Sequence, residues 1–483
     1  MAQAILVASA PALVLIDYAT ATSLATWKPV NGSSPQATAL VPTRSGLGGF
    51  MLAVQPDKPL LHAFAFQKEQ MLYKMVLPEK LSALAVDPAG TYCAGGTHTG
   101  RLFLWEIASG LLLNAFDAHY RQVTALCFSP DAAILCSGSE DSGISVWSMS
   151  RLLDNSINPD GAMPAPYCTF NDHTLAVSDL YCGVGLFPSL RLFSSSLDGS
   201  VKLWDIATRS ILATFSFASP VSHLTVDPAE RVVFAASAEH SQIYQVDLYT
   251  HGPARGSARS VVGAGETVHL GVDVEEDKNL RLRVFSLGKA TAITSLALDL
   301  PGTQLLAGGA DGTVSVFDVA SHQLLRTFSP LPAGQGGAIT SLATLLRPAD
   351  LIGPSAAAAG AKDALPLRPL AVFHRIRDRA AREAHDVPVV LPKQPLAALP
   401  YDHAAVLADH AVWVQQMHGS AQDEGQDVEQ LKAEVARLRE QLSEAKGVND
   451  AMWESAVQAM LVDGTSDASV ANGGSNAKRQ RIG

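Results

Sequence analysis

The stretch DGSVKLWD, residues 198–205, decides how this chain is read. An Asp-Gly pair stands six residues ahead of a Trp-Asp pair, and Val201 and Leu203 alternate with Lys202 in between. As chemistry, Asp198 or Asp205 would be a general acid or a metal ligand. As structure, the stretch is one hairpin corner of a sheet. Asp-Gly permits a tight turn, the alternation marks a strand, and Trp204 is a broad plate that packs between sheets.

The phrase recurs, and the recurrence favours structure. SEDSGISVWS (139–148) places Asp141 six residues before Trp147, and GADGTVSVFD (309–318) places Asp311 six before Phe317. THTGRLFLWE (97–106) keeps the aromatic at Trp105 but replaces the turn Asp. A short apolar run ending in small residues precedes each phrase: YCAGG, ILCSGS, RLFSSS and LLAGG. Ahead of those lie KLSALAVDPAG, QVTALCFSPDA, AVSDLYCGVG and AITSLALDLPG, and weaker runs such as LLLNAF, ILATF and QLLRTF follow. Four short period-two strands per unit, at roughly 40–45 residues, is the size of a propeller blade.

The chain therefore resembles the WD-repeat β-propellers. In that family the turn Asp, the Trp, a Ser of the preceding strand and a His ahead of the first strand form a hydrogen-bonded group. The resemblance assigns those roles to Asp198, Trp204, Ser194 or Ser196, and His173. In the preceding unit it assigns them to Asp141, Trp147, Ser137 or Ser139, and His119. These residues, with Asp311, are expected to fasten sheets and not to catalyse.

Units near 81–116, 123–170, 174–215, 221–285 and 293–328 make five blades, and 37–76 makes a degraded sixth. The N-terminal region offers three strands, ILVAS, ALVLID and SLATWK, and GAITSLATLLRP (337–348) matches the missing one. The expected fold is all-β: a seven-bladed propeller over 1–348, closed by a late strand that removes the free sheet edges. Two insertions, 151–167 and 249–279, read either as binding loops or as variable surface.

Composition agrees. The 483 residues are 47% apolar and 17% charged, enough to bury most of the chain. A formal net charge of −11 argues against strong direct binding to nucleic-acid backbones. Five cysteines without CxxC spacing read as buried thiols and not as a metal site, and fit a reducing compartment. The apolar opening MAQAILVASAPALVLIDYA is interrupted by Asp17 and Tyr18, and reads as two strands and not as a signal or membrane anchor. HExxH, GxSxG and phosphate-loop phrases are absent from the sequence, so no catalytic residue, cofactor or metal is assigned and no enzyme is expected.

Beyond residue 348 the texture changes. Residues 349–423 form an Ala/Pro-rich linker in which FHRIRDRAAREAHD (373–386) is compatible with helix, and the apolar VVLPK and LAALP are expected to run along the propeller. In 424–461, Val428, Leu431, Val435, Leu438 and Leu442 follow heptad spacing, with Val428, Val435 and Leu442 at a and Leu431 and Leu438 at d. Glu434 would face Arg439, and Asp427 would face Lys432, of a second chain. The segment is either a dimerising coiled coil or a solitary amphipathic helix lying on the propeller or another subunit. Residues 462–483 have the composition of a disordered tail, with KRQR (478–481) compatible with nuclear import.

Over residues 1–446 this layout resembles the WD-repeat subunit of the nuclear complex that promotes processing of the second internal transcribed spacer of pre-ribosomal RNA. The features that carry the resemblance are a ring that begins in the first residues, weak WD signatures in the early blades, ITSLA and FDV in the last, and the Leu-heptad helix. It implies a non-catalytic nuclear scaffold that pairs through its C-terminal helix and holds subunits built of α-helical repeats. It also implies work on the pre-60S particle beside a midasin-type AAA ATPase, and a link to replication licensing. The competing expectation is a WD-repeat adaptor of another assembly, a ubiquitin-ligase substrate receptor or a chromatin or replication-licensing subunit.

Overall fold

The period-two runs pair into sheets whose apolar faces must be covered, and a ring of sheets covers each with the next. The computed structural model describes residues 3–9, 11–27, 36–41, 49–55, 57–153, 163–251, 258–260, 266–270, 283–287, 291–331, 337–348, 351, 370–378, 381, 432–448 and 450–455. Blade 1 holds Gln3–Ser9, Leu13–Asp17 and Ser23–Trp27, with Ile339–Leu346 as its innermost strand. Blade 2 runs from Thr38–Val41 through Met71–Val76, and blade 3 from Leu81–Val86 through Leu112–Asp117. Blade 4 extends from Val123–Phe128 to Cys168–Phe170, and blade 5 from Val177–Cys182 to Ser210–Phe217. Blade 6 extends from Val221–Val226 to Arg283–Ser286, and blade 7 from Ile293–Leu298 to Leu324–Phe328.

The ring closes as the repeat count requires. Ile339–Leu346 lies antiparallel to Gln3–Ser9, with Leu6 opposite Ala343 and Gln3 opposite Leu346. The apolar opening of the chain is thus two strands of blade 1. Among the described residues no helix is long and apolar enough to cross a membrane.

Neighbouring blades are stitched by a device that the sequence repeats. In the innermost strands the pairing register skips one residue: Ser82, Thr124, Ser178, Ser222, Thr294 and Thr340. A bulge re-aims the side chain it carries. The hydroxyl of Ser82 donates to the Val123 carbonyl at 2.6 Å, that of Thr124 to Val177 at 2.5 Å, and that of Ser178 to Val221 at 2.8 Å. Thr294 reaches the Ile339 carbonyl, whereas Thr340 bonds within its own blade, to the Ala8 carbonyl at 3.2 Å. The small residues ending each second strand serve the same seam. A Cβ on Gly138 would stand 2.7 Å from Val177 Cγ1, so only glycine lets the next blade approach.

Aromatic plates fill the outer part of the seams. An aromatic on the fourth strand of one blade meets one on the third strand of the next: Phe116 with Trp147 at 4.7 Å, Phe170 with Trp204 at 4.4 Å, Phe217 with Tyr244 at 5.0 Å and Phe285 with Phe317 at 5.5 Å. Trp105 of blade 3 has no such neighbour from blade 2, whose fourth strand turns Met75 into the seam and leaves its one aromatic, Tyr73, exposed. Phe373 fills the gap, stacked on Trp105 at 5.4 Å and 13°. It belongs to the same buried cluster as Met75, Leu77 and Trp105.

Over residues 373–378 this corrects the reading of 373–386 as compatible with helix; of the remainder only Ala381 is described, and it is helical. Residues 370–378 have no regular secondary structure and bend at 375–376, and they bind the ring through backbone and side-chain bonds. The N–H of Ala371 donates to Ile107 and that of His374 to Gly110, and Arg377 Nε donates to the Leu113 carbonyl. A lone Phe inside a charged run carries no periodicity, and tertiary packing overrode local helix preference. The VVLPK and LAALP runs lie outside the described residues.

Both insertions contain structure. Met149–Leu153 is a short helix that buries Met149 and Leu152 against blades 3 and 4. Within 249–279, Tyr249–His251 pairs with Ala258–Ser260, and Glu266–Leu270 joins blade 5 as a fifth strand, parallel to Ser210–Phe217. The C-terminal unit, Leu391–Gly483, is described where it is helical, over 432–448 and 450–455.

Candidate functional site

The opening phrase ends in a closed polar chain. Trp204 Nε1 donates to Ser194 Oγ at 2.8 Å, Ser194 Oγ lies 2.8 Å from His173 Nε2, and His173 Nδ1 lies 3.0 Å from Asp198 Oδ2. With the proton on Nδ1, every donor in the chain meets an acceptor. Asp198 also accepts from the N–H groups of Ser200 and Thr174 and from the Ser200 hydroxyl. Burial pushes its carboxyl up, but the bonds from His173 and Ser200 outweigh that and hold it well below the usual carboxylate range. Asp205 is spent on the following turn, accepting from Ala207 N and Thr208 Oγ1.

Blade 4 repeats the arrangement. Trp147 Nε1 donates to Ser137 Oγ at 3.0 Å, Ser137 meets His119 Nε2 at 2.8 Å, and His119 Nδ1 lies 3.3 Å from Asp141 Oδ2. Asp141, raised by burial, is drawn down to about 2 by His119 and the Gly143 and Tyr120 amides. Of the paired serines, Ser137 and Ser194 enter the chains. Ser139 and Ser196 instead accept from the amides of Asp141 and Asp198 and tie down the hairpin.

Among the other described residues the group is incomplete. Asp311 accepts from Thr313 N and Oγ1, and Phe317 has no indole donor to offer. In blade 3, Gly95 occupies the serine position opposite Leu84, so Trp105 lacks the hydroxyl acceptor. Its Nε1 donates to the His374 carbonyl at 3.0 Å instead. The same segment therefore supplies both the missing ring and the missing acceptor of blade 3.

The innermost strands surround a cavity of about 560 Å³ lined by Gln36, Asp179, His223, Ser295 and Thr340 among others. Asp179 accepts from Gln36 Nε2 at 2.6 Å and from the amides of Leu180 and Leu224. Burial pushes its carboxyl up to about 7 and pushes the His223 imidazole down to about 4. Sequence reading missed Asp179. Its only signal is an acidic residue where the other first strands carry small or neutral ones.

Of the heptad residues, Val435, Leu438 and Leu442 lie on the helix over 432–448, with 47%, 56% and 72% of their surface exposed. Val428 and Leu431 lie outside the described residues. An α-helix that leaves Val and Leu in water at heptad spacing has an apolar stripe to cover.

Comparison with known proteins follows the same geography. The WD40 family (WD domain, G-beta repeat) matches residues 110–148, 165–205 and 281–318, taking in the Trp strands of both polar chains and the corresponding Phe317 strand of blade 7. Pre-rRNA-processing protein IPI3 of Mycosarcoma maydis is 32% identical, over 91% of this chain and 92% of its own. The chain belongs to the IPI3 family of pre-rRNA-processing proteins. The IPI3 protein of Yarrowia lipolytica is 30% identical over 83% of this chain and 87% of its own. WD repeat-containing protein 18 of Homo sapiens is 32% identical over 63% of this chain and 64% of its own. The similarity to the IPI3 proteins thus extends past the strands of the ring, into the C-terminal part of the chain.

Proposed function

We infer that this chain is a non-catalytic scaffold in pre-rRNA processing and maturation of the 60S subunit, working in the nucleus. The observation that carries this reading is the likeness to an IPI3 protein along nine-tenths of both chains. A scaffold needs a rigid surface, and here the polar residues that might suggest chemistry are spent on the ring. Asp198 and His173 hold one blade, and Asp141 and His119 hold another.

The finer assignments rest on particular surfaces. The helix bearing Val435, Leu438 and Leu442 pairs with a second copy, since its apolar stripe has heptad spacing with β-branched residues at two a positions. The ring holds subunits built of α-helical repeats, and the assembly serves the pre-60S particle beside a midasin-type AAA ATPase. With a net charge of −11, the chain reaches that particle mainly through protein contacts.

The test is affinity capture of the tagged full chain, followed by sedimentation, with and without residues 424–461. Capture of 60S precursors by the full chain, and loss of self-association on truncation, are the expected results. Capture of a ubiquitin ligase or chromatin machinery without 60S precursors would overturn the reading, and extensive direct crosslinking to ribosomal RNA would overturn the protein-mediated contact.

A further inference from the structure

We propose that Cys127, Cys136 and Cys182 form a binding site for one thiophilic d10 metal ion, Zn(II) or Cu(I), on the seam between blades 4 and 5. Cys127 and Cys136 are direct cross-strand partners, so their side chains leave the same face of blade 4. That face packs against blade 5, whose innermost strand ends in Cys182. Cys182 Sγ lies 3.2 Å from Cys127 Sγ and 3.8 Å from Cys136 Sγ, and all three sulfurs lie within 4.8 Å of one another. Sulfurs sharing one ion at about 2.3 Å stand roughly 3.8–4.0 Å apart. A small rotation of Cys127 brings the set to that spacing, and thiolates select this class of ion.

The surroundings favour a cation. An arriving ion displaces the thiol protons to solvent, and three thiolates around a divalent ion leave a single net negative charge. Cys127 and Cys182 are half-buried, which gives the ion a path and leaves a fourth tetrahedral position for solvent. The carboxylate of Asp131 acts electrostatically on Cys182, adding negative potential. A disulfide would need a two-electron oxidant, which a reducing nucleus does not supply.

Once bound, the ion joins the inner strands of two blades, on the face of blade 4 opposite the Ser137–Trp147 contact. Sequence reading missed the site because ligand spacing of 9 and 46 residues is set by the circular order of the blades and by no local motif.

The test uses the full chain, purified under reductant and stripped with chelator. It is titrated with Co(II), then with Zn(II) in competition, and separately with Cu(I) without oxygen. The expected result is one equivalent per chain, seen either as thiolate-to-cobalt charge-transfer absorption bleached by Zn(II) or as saturation by Cu(I), with a rise in melting temperature. Cys182→Ser should bind at least about 100-fold more weakly, whereas Cys168→Ser, on the same seam, should bind as the parent does. The cobalt absorption and the Cu(I) titration are read on the unmodified chain, so they stand even where a variant misfolds. A parent chain that takes up neither Co(II), Zn(II) nor Cu(I), or a folded Cys182→Ser that binds unchanged, would overturn the proposal.

Discussion

The indole N–H of Trp105 donates to the backbone carbonyl of His374, 269 positions away, at 3.0 Å. Phe373 lies flat on the same indole, where the other seams use a fourth-strand aromatic. Residues 370–378 thus belong to the ring, although the strand pattern ends at Leu346. Truncating Phe373 to Ala should cost about 3–4 kcal/mol, the range for losing a large buried aromatic. The check is the denaturant midpoint of the full chain. A chain ending at residue 348 should show a similar loss, and an unchanged midpoint for both would rule out a structural role for the segment.

Asp198 and Asp311 occupy the same place in their hairpins but differ in their partners. Asp198→Ala strands His173 and two amides, so the expected cost is about 2–4 kcal/mol. Asp311→Ala removes only local bonds to Thr313 and should cost less than about 1 kcal/mol. Equal losses in paired thermal melts would contradict the difference.

Acid should loosen blade 4 in a defined window. The Asp141 carboxyl sits at about 2 in the folded ring against an ordinary value of 3.8, so the unfolded chain takes up its proton first as pH falls. Its contribution is complete above the ordinary value and is lost as pH falls through the folded one. Asp141→Asn should lower stability near neutrality and lose roughly 2 kcal/mol less than the parent chain between neutral pH and pH 2. Parallel pH profiles for the two chains would show that Asp141 does not carry that dependence.

Much of this architecture was legible in the chain. The Asp-to-Trp spacing around Asp198 and Asp141, the period-two runs and the late ITSLA phrase lead to seven blades and their closure, because each reflects a local rule of turn or strand. What was not legible depends on placement. Phe373 shows no periodicity, and Glu266–Leu270 pairs in parallel with a strand some fifty residues earlier. Ser137 and Ser139, like Ser194 and Ser196, share one face of the second strand, and the choice between them depends on which lies level with the indole in the paired register. The repeated Ser or Thr of the first strands was visible as a phrase, but its role depends on a bulge that strand patterning does not reveal.

The exposed stripe on the helix gives a solution prediction. Leu438→Glu places a charge at a d position, and sedimentation equilibrium should shift the full chain from dimer to monomer with the ring's melting temperature unchanged. A parent chain that is monomeric at micromolar concentration would contradict pairing through this helix.

Ring closure is tested most directly by joining Leu6 and Ala343, which are opposite each other in the closing pair of strands and share one face of blade 1. In the double variant Leu6→Cys, Ala343→Cys, mild oxidation should give an intrachain disulfide that raises the melting temperature, since directly opposed strand residues suit disulfide geometry. Leu6→Cys with Leu342→Cys, which points to the other face, should not crosslink. Failure of the first pair, or crosslinking only between chains, would mean that Ile339–Leu346 does not close the ring against Gln3–Ser9.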